Sequence, residues 1–293
     1  MSTLTYLDKL TFETRPKALI LECVHALGNK RAVGGYRESG TQQVKDALRE
    51  RGYVGDWVKV SPTSFYLPQR RGRVWALFLK VVAGFGPEAT TARQQHASAA
   101  LNIVRRCQLS MQEPLMEVLQ RIQHTPPFSQ KAPALRKWSN IPHLKFKATH
   151  SLTEEFLAQG GRDEFMLATS TMANPREQDA MWLNLCRLRL KSVITDWRHE
   201  LLVADAGSSV AWLKFARNQF PCVRPTMKYT ILNHGQVQIA SGALCLAVQG
   251  VGCREATAFH LMDESDTALR YFAGIAFTAN ICCAFLIAVL SVM

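Results

Sequence analysis

The sequence predicts an α/β fold, because its first 80 residues alternate between strand and helix patterns. Apolar runs at residues 17–21, 57–60 and 74–79 have the length and composition of strands. Between the first two runs, residues 41–51 are typical of a helix, with Thr41 as N-cap and Gly52 as its stop. The chain has 293 residues, 47% hydrophobic and 20% charged, which excludes a disordered or fibrous protein.

The first of these strands is the informative one. Residues 17–21 form a continuous apolar run after Pro16, the pattern of a buried parallel strand. Glu22 follows directly and would lie at the carboxyl end of the strand, the edge at which ligands gather in open α/β sheets. Residues 61–73 then form a Pro- and Ser-rich loop that ends in three arginines, just before the strand at 74–79.

The region from residue 81 to residue 230 is less regular and mainly helical. A helix is predicted over residues 97–123, and Asn174-Pro175 with Glu177 predicts the capped start of a helix that runs to about His199. Between them, residues 131–147 form a basic loop without an acid, which also contains Trp138 and Phe146. Such a loop can bind phosphates and stack on bases, and an ordinary solvated loop is an equal alternative. Its basic residues are Lys131, Arg136, Lys137, Lys145 and Lys147.

Charge points to a polyanionic partner. The 35 basic and 23 acidic residues give a net charge of +12, divided as +7 over residues 1–80, +7 over 81–230 and −2 over 231–293. The eight cysteines form no CxxC pair, and the eight histidines have no metal-ligand spacing. We therefore expect a reducing nuclear or cytoplasmic location and no metal site.

The C-terminal 23 residues, 271–293, carry no charge and are long enough to cross a bilayer. A turn at Ala273-Gly274 followed by a buried helix is the favoured interpretation. A tail anchor stays open as the alternative, although no basic residue follows the run and Asn280 interrupts it.

Two motifs carry a family resemblance. Residues 15–24 read RPKALILECV, and residues 67–74 read LPQRRGRV. In this order they resemble the DNA (cytosine-5) methyltransferases, in which an Arg-Pro-Lys-apolar strand leads into Glu-Asn-Val and a PQxRxR motif opens a later strand. Cys23 replaces the Asn, whereas the second motif is intact. Weaker matches follow at residues 203–209, 221–225 and 247–251, and residues 271–277 resemble the last motif of the family, with Ile275 in place of its Asn.

The resemblance implies a partial Rossmann-like methyltransferase sheet with an inserted, mainly helical target-recognition region. The catalytic domain would comprise residues 1–80 and a C-terminal return at 231–293. The target-recognition insert would be residues 81–230. The implied activity is methyl transfer from S-adenosylmethionine to cytosine C5 in DNA. By the match, Glu22 holds the flipped cytosine, Arg73 contacts its carbonyl with Gln69 and Arg71 in support, and Gly274-Ile275-Ala276 correspond to the cofactor-binding step.

The resemblance also marks what this chain lacks. The family carries its nucleophile on a Pro-Cys-Gln loop and its cofactor loop in an FxGxG motif, both before the Glu motif. Only 21 residues precede Glu22, and none is a cysteine. We therefore expect the C-terminal half of a methyltransferase, truncated or diverged and inactive alone, whose N-terminal half is missing. A non-catalytic nucleic-acid-binding protein or a tail-anchored membrane protein is the alternative.

Overall fold

The computed structural model describes residues 3–24, 39–81, 86–109, 114–121, 141–170, 173–225, 227–252 and 263–293. It is a mixed α/β structure with small antiparallel sheets. The chain forms two compact units. The first comprises Met1–Tyr66, Arg71–Gln112 and Phe277–Met293, and the second comprises Leu67–Arg70 and Glu113–Ala276. These units differ from the three predicted parts, since residues 81–112 group with the first 66 residues and 231–276 with the insert.

The elements follow one another along the described chain with these bounds. The helices are α1 (Thr3–Leu7), α2 (Gly40–Glu50), α3 (Pro87–Arg106), α4 (Leu115–Arg121), α5 (Ile141–Thr149), α6 (Glu154–Ala158), α7 (Arg162–Thr169), α8 (Pro175–Leu190), α9 (Gly242–Ala247), α10 (Asp266–Ile275) and α11 (Ala279–Leu290). The strands are β1 (Ala18–Val24), β2 (Tyr53–Val60), β3 (Arg73–Lys80), β4 (Leu201–Asp205), β5 (Phe215–Arg217), β6 (Tyr229–Asn233) and β7 (Gln236–Ile239). Short 3₁₀ helices occupy Pro62–Phe65 and Trp197–His199.

The sheet of the first unit confirms the three predicted strands and corrects their direction. Its order is β1-β3-β2, and β3 is antiparallel to both neighbours. The prediction of a buried parallel strand at residues 17–21 was therefore wrong in two ways. The hydrogen-bonded neighbour of β1 runs antiparallel to it, and of its seven residues only Leu19 is buried. β1 and β2 do run parallel to each other, because both oppose β3.

Helices cover both faces of this sheet. On one face, α1 and α2 contribute Leu7 and Leu48 to a cluster that includes Tyr53 and Phe78. On the other face, α3 and α11 pack over Trp75 and its neighbours in β2 and β3. Each face follows the alternation of side chains along β3, whose six central residues are buried. The strand between two helical layers is therefore the most enclosed element of the unit.

The C-terminal helix α11 has one face in the core and one face exposed. Phe285 stacks on Trp75 with ring centroids 5.3 Å apart, and Asn280 Nδ2 donates to the Phe65 carbonyl at 2.9 Å. The opposite face presents Leu286, Ile287 and Leu290, which are 53%, 57% and 77% exposed. The predicted buried helix is thus confirmed for one face, but the predicted turn was wrong, since Ala273 and Gly274 lie within α10.

No single described helix is long and apolar enough to cross a bilayer. Helices α10 and α11 reach that length and hydropathy only when they are counted together across the break between them.

The second unit contains an antiparallel sheet of order β5-β4-β6-β7. Helices α5 to α8 pack on one side of it around Trp182 and Phe165. Helices α4, α9 and α10 form the other cluster with Phe220 and Tyr229. All five residues of β4 are buried, as expected for a central strand between two apolar layers.

Several predicted helix boundaries needed correction. The capping box at Asn174 is confirmed, but α8 ends at Leu190 rather than near His199. The predicted helix over 97–123 is instead two helices, α3 and α4. Pro114 lies just before α4, because proline has no N–H for the interior of a helix but is tolerated at its start. The N-cap of α2 is Ser39, whose hydroxyl accepts from Gln42 N, and not the predicted Thr41.

Adjacent residues of α11 provide a direct test of its two faces. Phe285→Ala should lower the free energy of unfolding by about 3–5 kcal/mol, because it opens a cavity beside Trp75. Leu286→Ala should change it by less than about 0.5 kcal/mol, because that side chain is half exposed. Urea unfolding of the full chain measures both. Equal losses in the two variants would mean that α11 does not pack in this orientation.

Candidate functional site

Antiparallel pairing of β3 with β1 brings the two sequence motifs together. Glu22 lies opposite Trp75, and Val24 lies opposite Arg73. The pairing thereby joins a carboxylate near the end of β1 to the arginines that precede and open β3. Residues 25–66, which are 42 residues of chain, separate the two motifs, so the cluster depends on tertiary structure alone.

The cluster is a buried carboxylate beside two guanidinium groups. Glu22 Oε1 lies 3.6 Å from Arg71 Nε and 3.4 Å from Arg73 Nε. The side chains of Glu22 and Arg71 are 9% and 7% exposed, and that of Arg73 is 20% exposed. The Arg73 side chain is also anchored by donating from Nη1 to the Gly72 carbonyl at 3.0 Å.

Burial dominates the titration of Glu22. Removal of the carboxyl from water raises the pKa of Glu22, although the charges of Arg71 and Arg73 act to lower it. Glu22 Oε1 also accepts no hydrogen bond from the described residues, since both arginine contacts are longer than a good charge-assisted bond. This carboxyl therefore takes up a proton more readily than an ordinary glutamate and keeps hydrogen-bonding capacity for a ligand.

The thiol of Cys282, which interacts with Glu22, is unsuited to nucleophilic attack. Cys282, on the buried side of α11, interacts electrostatically with Glu22, and burial together with the neighbouring groups Cys283 and Glu22 raises the pKa of Cys282 to about 11. At neutral pH it is a thiol rather than the thiolate that a nucleophile needs. Cys23 is half-buried next to Glu22 in β1, and the seven described cysteines are all free thiols.

Gln69, the other predicted member of the site, belongs to the second unit. Its segment pairs with Phe220, because Arg70 N donates to the Phe220 carbonyl at 2.7 Å and Phe220 N donates to the Pro68 carbonyl at 2.6 Å. The Gln69 side chain is fully buried, and neither amide atom has a hydrogen-bond partner among the described residues. The structure therefore does not add Gln69 to the ion pairs of Glu22.

The predicted cofactor residues end helix α10. Gly274 is required there for packing, since a Cβ atom would lie 2.1 Å from Pro225 N. Ile275 is 56% exposed, and Ala276 is the C-cap of the helix. This close packing supplies a structural reason for the glycine within the second unit.

The structure describes only the last part of the predicted basic loop, residues 141–147. Lys131, Arg136 and Lys137 lie outside the described residues. Lys145 and Lys147 lie on helix α5, so the prediction of a loop was wrong for residues 141–147. Lys145 is exposed, whereas Lys147 forms an ion pair with Glu154.

Two members of the cluster's surroundings escaped the sequence analysis. Trp75 faces Glu22 across the strand pair, and Cys282 approaches it from α11. Neither position is signalled by a motif, because both follow from strand register and from helix packing. In the part of the chain that the structure describes, no group of three His, Cys, Asp or Glu residues could hold a metal ion.

No protein-family model matches the chain, and no curated protein is significantly similar to it. The family resemblance therefore depends on the motif residues alone.

Glu22→Gln should reveal the raised pKa as a pH-dependent stability difference. The native state binds the Glu22 proton more tightly than the unfolded chain does. The wild type should therefore lose stability as pH rises from the ordinary glutamate pKa through the raised one. Gln does not titrate, so the variant should gain stability relative to the wild type across that window and keep a constant difference above it.

Urea unfolding at a series of pH values measures this difference, with the exposed Glu13→Gln as the matched control that should follow the wild type. If the stability of Glu22→Gln relative to the wild type instead decreases with rising pH, then the two arginines, rather than burial, determine the pKa of Glu22.

Proposed function

We propose that this chain is a DNA (cytosine-5) methyltransferase-like protein whose base pocket is the cluster of Glu22, Arg71 and Arg73. The observation that carries the proposal is the convergence of the two family motifs, distant in sequence, on one buried carboxylate–guanidinium cluster. The full reaction would transfer a methyl group from S-adenosylmethionine to cytosine C5 in DNA. The chain alone would bind DNA without methylating it.

The chemistry of the pocket suits a flipped base. A base taken out of the duplex loses its pairing partner, so its polar edge needs hydrogen bonds in a dry pocket. A carboxyl with a raised pKa can accept a hydrogen bond from the cytosine amino group or supply a proton to the ring nitrogen beside it. The arginines offer planar donors to the base carbonyl, a task for which lysine is a poor substitute.

The topology of the first unit is compatible with a Rossmann-like methyltransferase sheet. β1 and β2 run parallel, helix α2 follows β1 and precedes β2, and β3 is inserted antiparallel between the strands. Many doubly wound folds carry an antiparallel strand at the edge of an otherwise parallel sheet, whereas here that strand lies between two parallel ones. The three strands would then be one end of a larger sheet.

The outer edge of β1 supports the idea of a second polypeptide that completes this sheet. Among the described residues no strand pairs with that edge. The edge strand β2 carries the exposed charges Asp56 and Lys59, which discourage further pairing, whereas the sole charge of β1 is the inward-held Glu22. The exposed apolar face of α11 lies in the same unit. We propose that an N-terminal methyltransferase half, with the nucleophile and the S-adenosylmethionine loop, binds here.

A second candidate is a nucleic-acid-binding protein without catalysis, favoured by the net charge of +12 and by exposed basic side chains such as Lys145 on α5. Membrane anchoring is less well supported, because five residues of α11 are buried in the first unit.

Methyl transfer separates these candidates. The chain alone should transfer no labelled methyl group from S-adenosylmethionine to DNA. Addition of an N-terminal half from a cytosine-5 methyltransferase should restore transfer, and Glu22→Gln should abolish the restored activity, because the pocket then lacks its proton. Transfer by the chain alone, or restored activity that survives Glu22→Gln, would contradict the proposed pocket.

Salt dependence should identify the phosphate contacts. Binding to duplex DNA should weaken as salt is added. The slope of log affinity against log salt concentration should become smaller in magnitude by about 0.9 for each phosphate contact removed. Lys145→Gln should lower the slope by about that amount, because Lys145 is exposed on α5. Lys147→Gln should lower it less, since Glu154 already neutralises Lys147. Equal slopes in all three proteins, measured by fluorescence anisotropy, would place the DNA elsewhere.

A further inference from the structure

The loop that joins β4 to β5 presents a tryptophan to solvent. Trp212 is 79% exposed, the largest exposed fraction among the large hydrophobic side chains of the described residues. Trp75, Trp182 and Trp197 are by contrast at most 2% exposed. A tryptophan held in water leaves its largest apolar surface unused, and tryptophan is enriched at binding interfaces.

This loop is anchored on both sides of Trp212, so the exposure is fixed by the fold. Val210 and Leu213 point into the core and are 4% and 0% exposed. Asn184 Nδ2, itself buried, donates to the Val210 carbonyl at 3.0 Å, and Trp212 N donates to the Ser209 carbonyl at 2.9 Å. With its neighbours held inward at Val210 and Leu213, the indole ring has to point outward.

An exposed lysine follows the tryptophan closely along the chain. Lys214 is exposed, two residues after Trp212, and forms no ion pair with the described residues. The arginines that follow along the chain are neutralised: Arg217 pairs with Glu200 and Arg224 pairs with Asp205, each at 2.7 Å. Lys214 is therefore available to an anion from outside the chain.

We propose that Trp212 and Lys214 form a contact for unpaired nucleotides, in which the indole stacks on a base and the ammonium binds an adjacent phosphate. An exposed aromatic ring beside a free cation is the arrangement by which proteins hold single-stranded nucleic acid without reading its sequence. The inference rests on the proposed DNA-binding function and names one surface of the second unit that serves it.

The aromatic and the charged parts of this contact should respond differently to salt. Stacking does not release counterions, whereas each neutralised phosphate of a single strand contributes about 0.7 to the log–log slope of affinity against salt. Trp212→Ala should therefore weaken binding of a fluorescein-labelled single-stranded oligonucleotide about tenfold at every salt concentration, with the slope unchanged. Lys214→Gln should lower the slope by about 0.7.

Matched variants complete the experiment. Trp212→Phe should retain most of the affinity, because phenylalanine keeps an aromatic face. Leu167→Ala is the control, since Leu167 is 76% exposed but lies on α7 beside the acidic Asp163 and Glu164, and it should bind like the wild type. Thermal unfolding should be the same for all variants, because the replaced side chains are exposed.

The outcomes separate the two proposals. If Trp212→Ala binds the single strand within twofold of the wild type, this contact is overturned and the DNA-binding function stands. If Trp212→Ala and Leu167→Ala weaken binding equally, the loss is not due to stacking and the contact is also overturned. If the wild-type chain binds neither single strand nor duplex, both proposals fail.

Discussion

The antiparallel pairing of β3 with β1 is the contact on which the candidate site depends. It sets Glu22 opposite Trp75 and Arg73 opposite Val24, and so brings the carboxylate on β1 close to Arg73, which opens β3, and to Arg71, which precedes it. Side chains alternate between the faces of a sheet, so a slip of one residue would move Glu22 to the opposite face, where α1 and α2 pack. Packing of Trp75 against Phe285 of α11 helps to fix this register.

Ion pairing by itself does not explain the cluster. A buried ion pair often contributes less than the apolar residues that could replace it, because removal of the charges from water costs so much. Here burial outweighs the two nearby arginines and raises the pKa of Glu22, so the arginines offset only part of the cost of burying the carboxylate. A carboxyl of this kind, with an oxygen that accepts no hydrogen bond from the described residues, suits a ligand that supplies the missing partner.

Much of the first unit could be predicted from local pattern, and the corrections concern long-range structure. Apolar runs located β1 and β3, although only β3 is largely buried, and such runs do not determine whether neighbours run parallel or antiparallel. The capping box at Asn174 was readable because its hydrogen bonds lie within four residues. The end of α8 at Leu190 was not, since the polar and apolar residues beyond it still follow a helical pattern. Gly274 suggested a turn, whereas the close approach of Pro225 explains the glycine within a helix.

The titration of Glu22 tests the central claim most directly. Carbon-13 NMR of the side-chain carboxyls, with the Glu22 signal identified by its loss in Glu22→Gln, gives its pKa in the folded chain. The account predicts that Glu22 titrates above the ordinary range of glutamate. It also predicts that the signal shifts when a cytosine-containing single strand is added, and not when the strand carries abasic sites instead. An ordinary or lowered pKa together with no response to cytosine would contradict the assignment of Glu22, Arg71 and Arg73 as a base pocket.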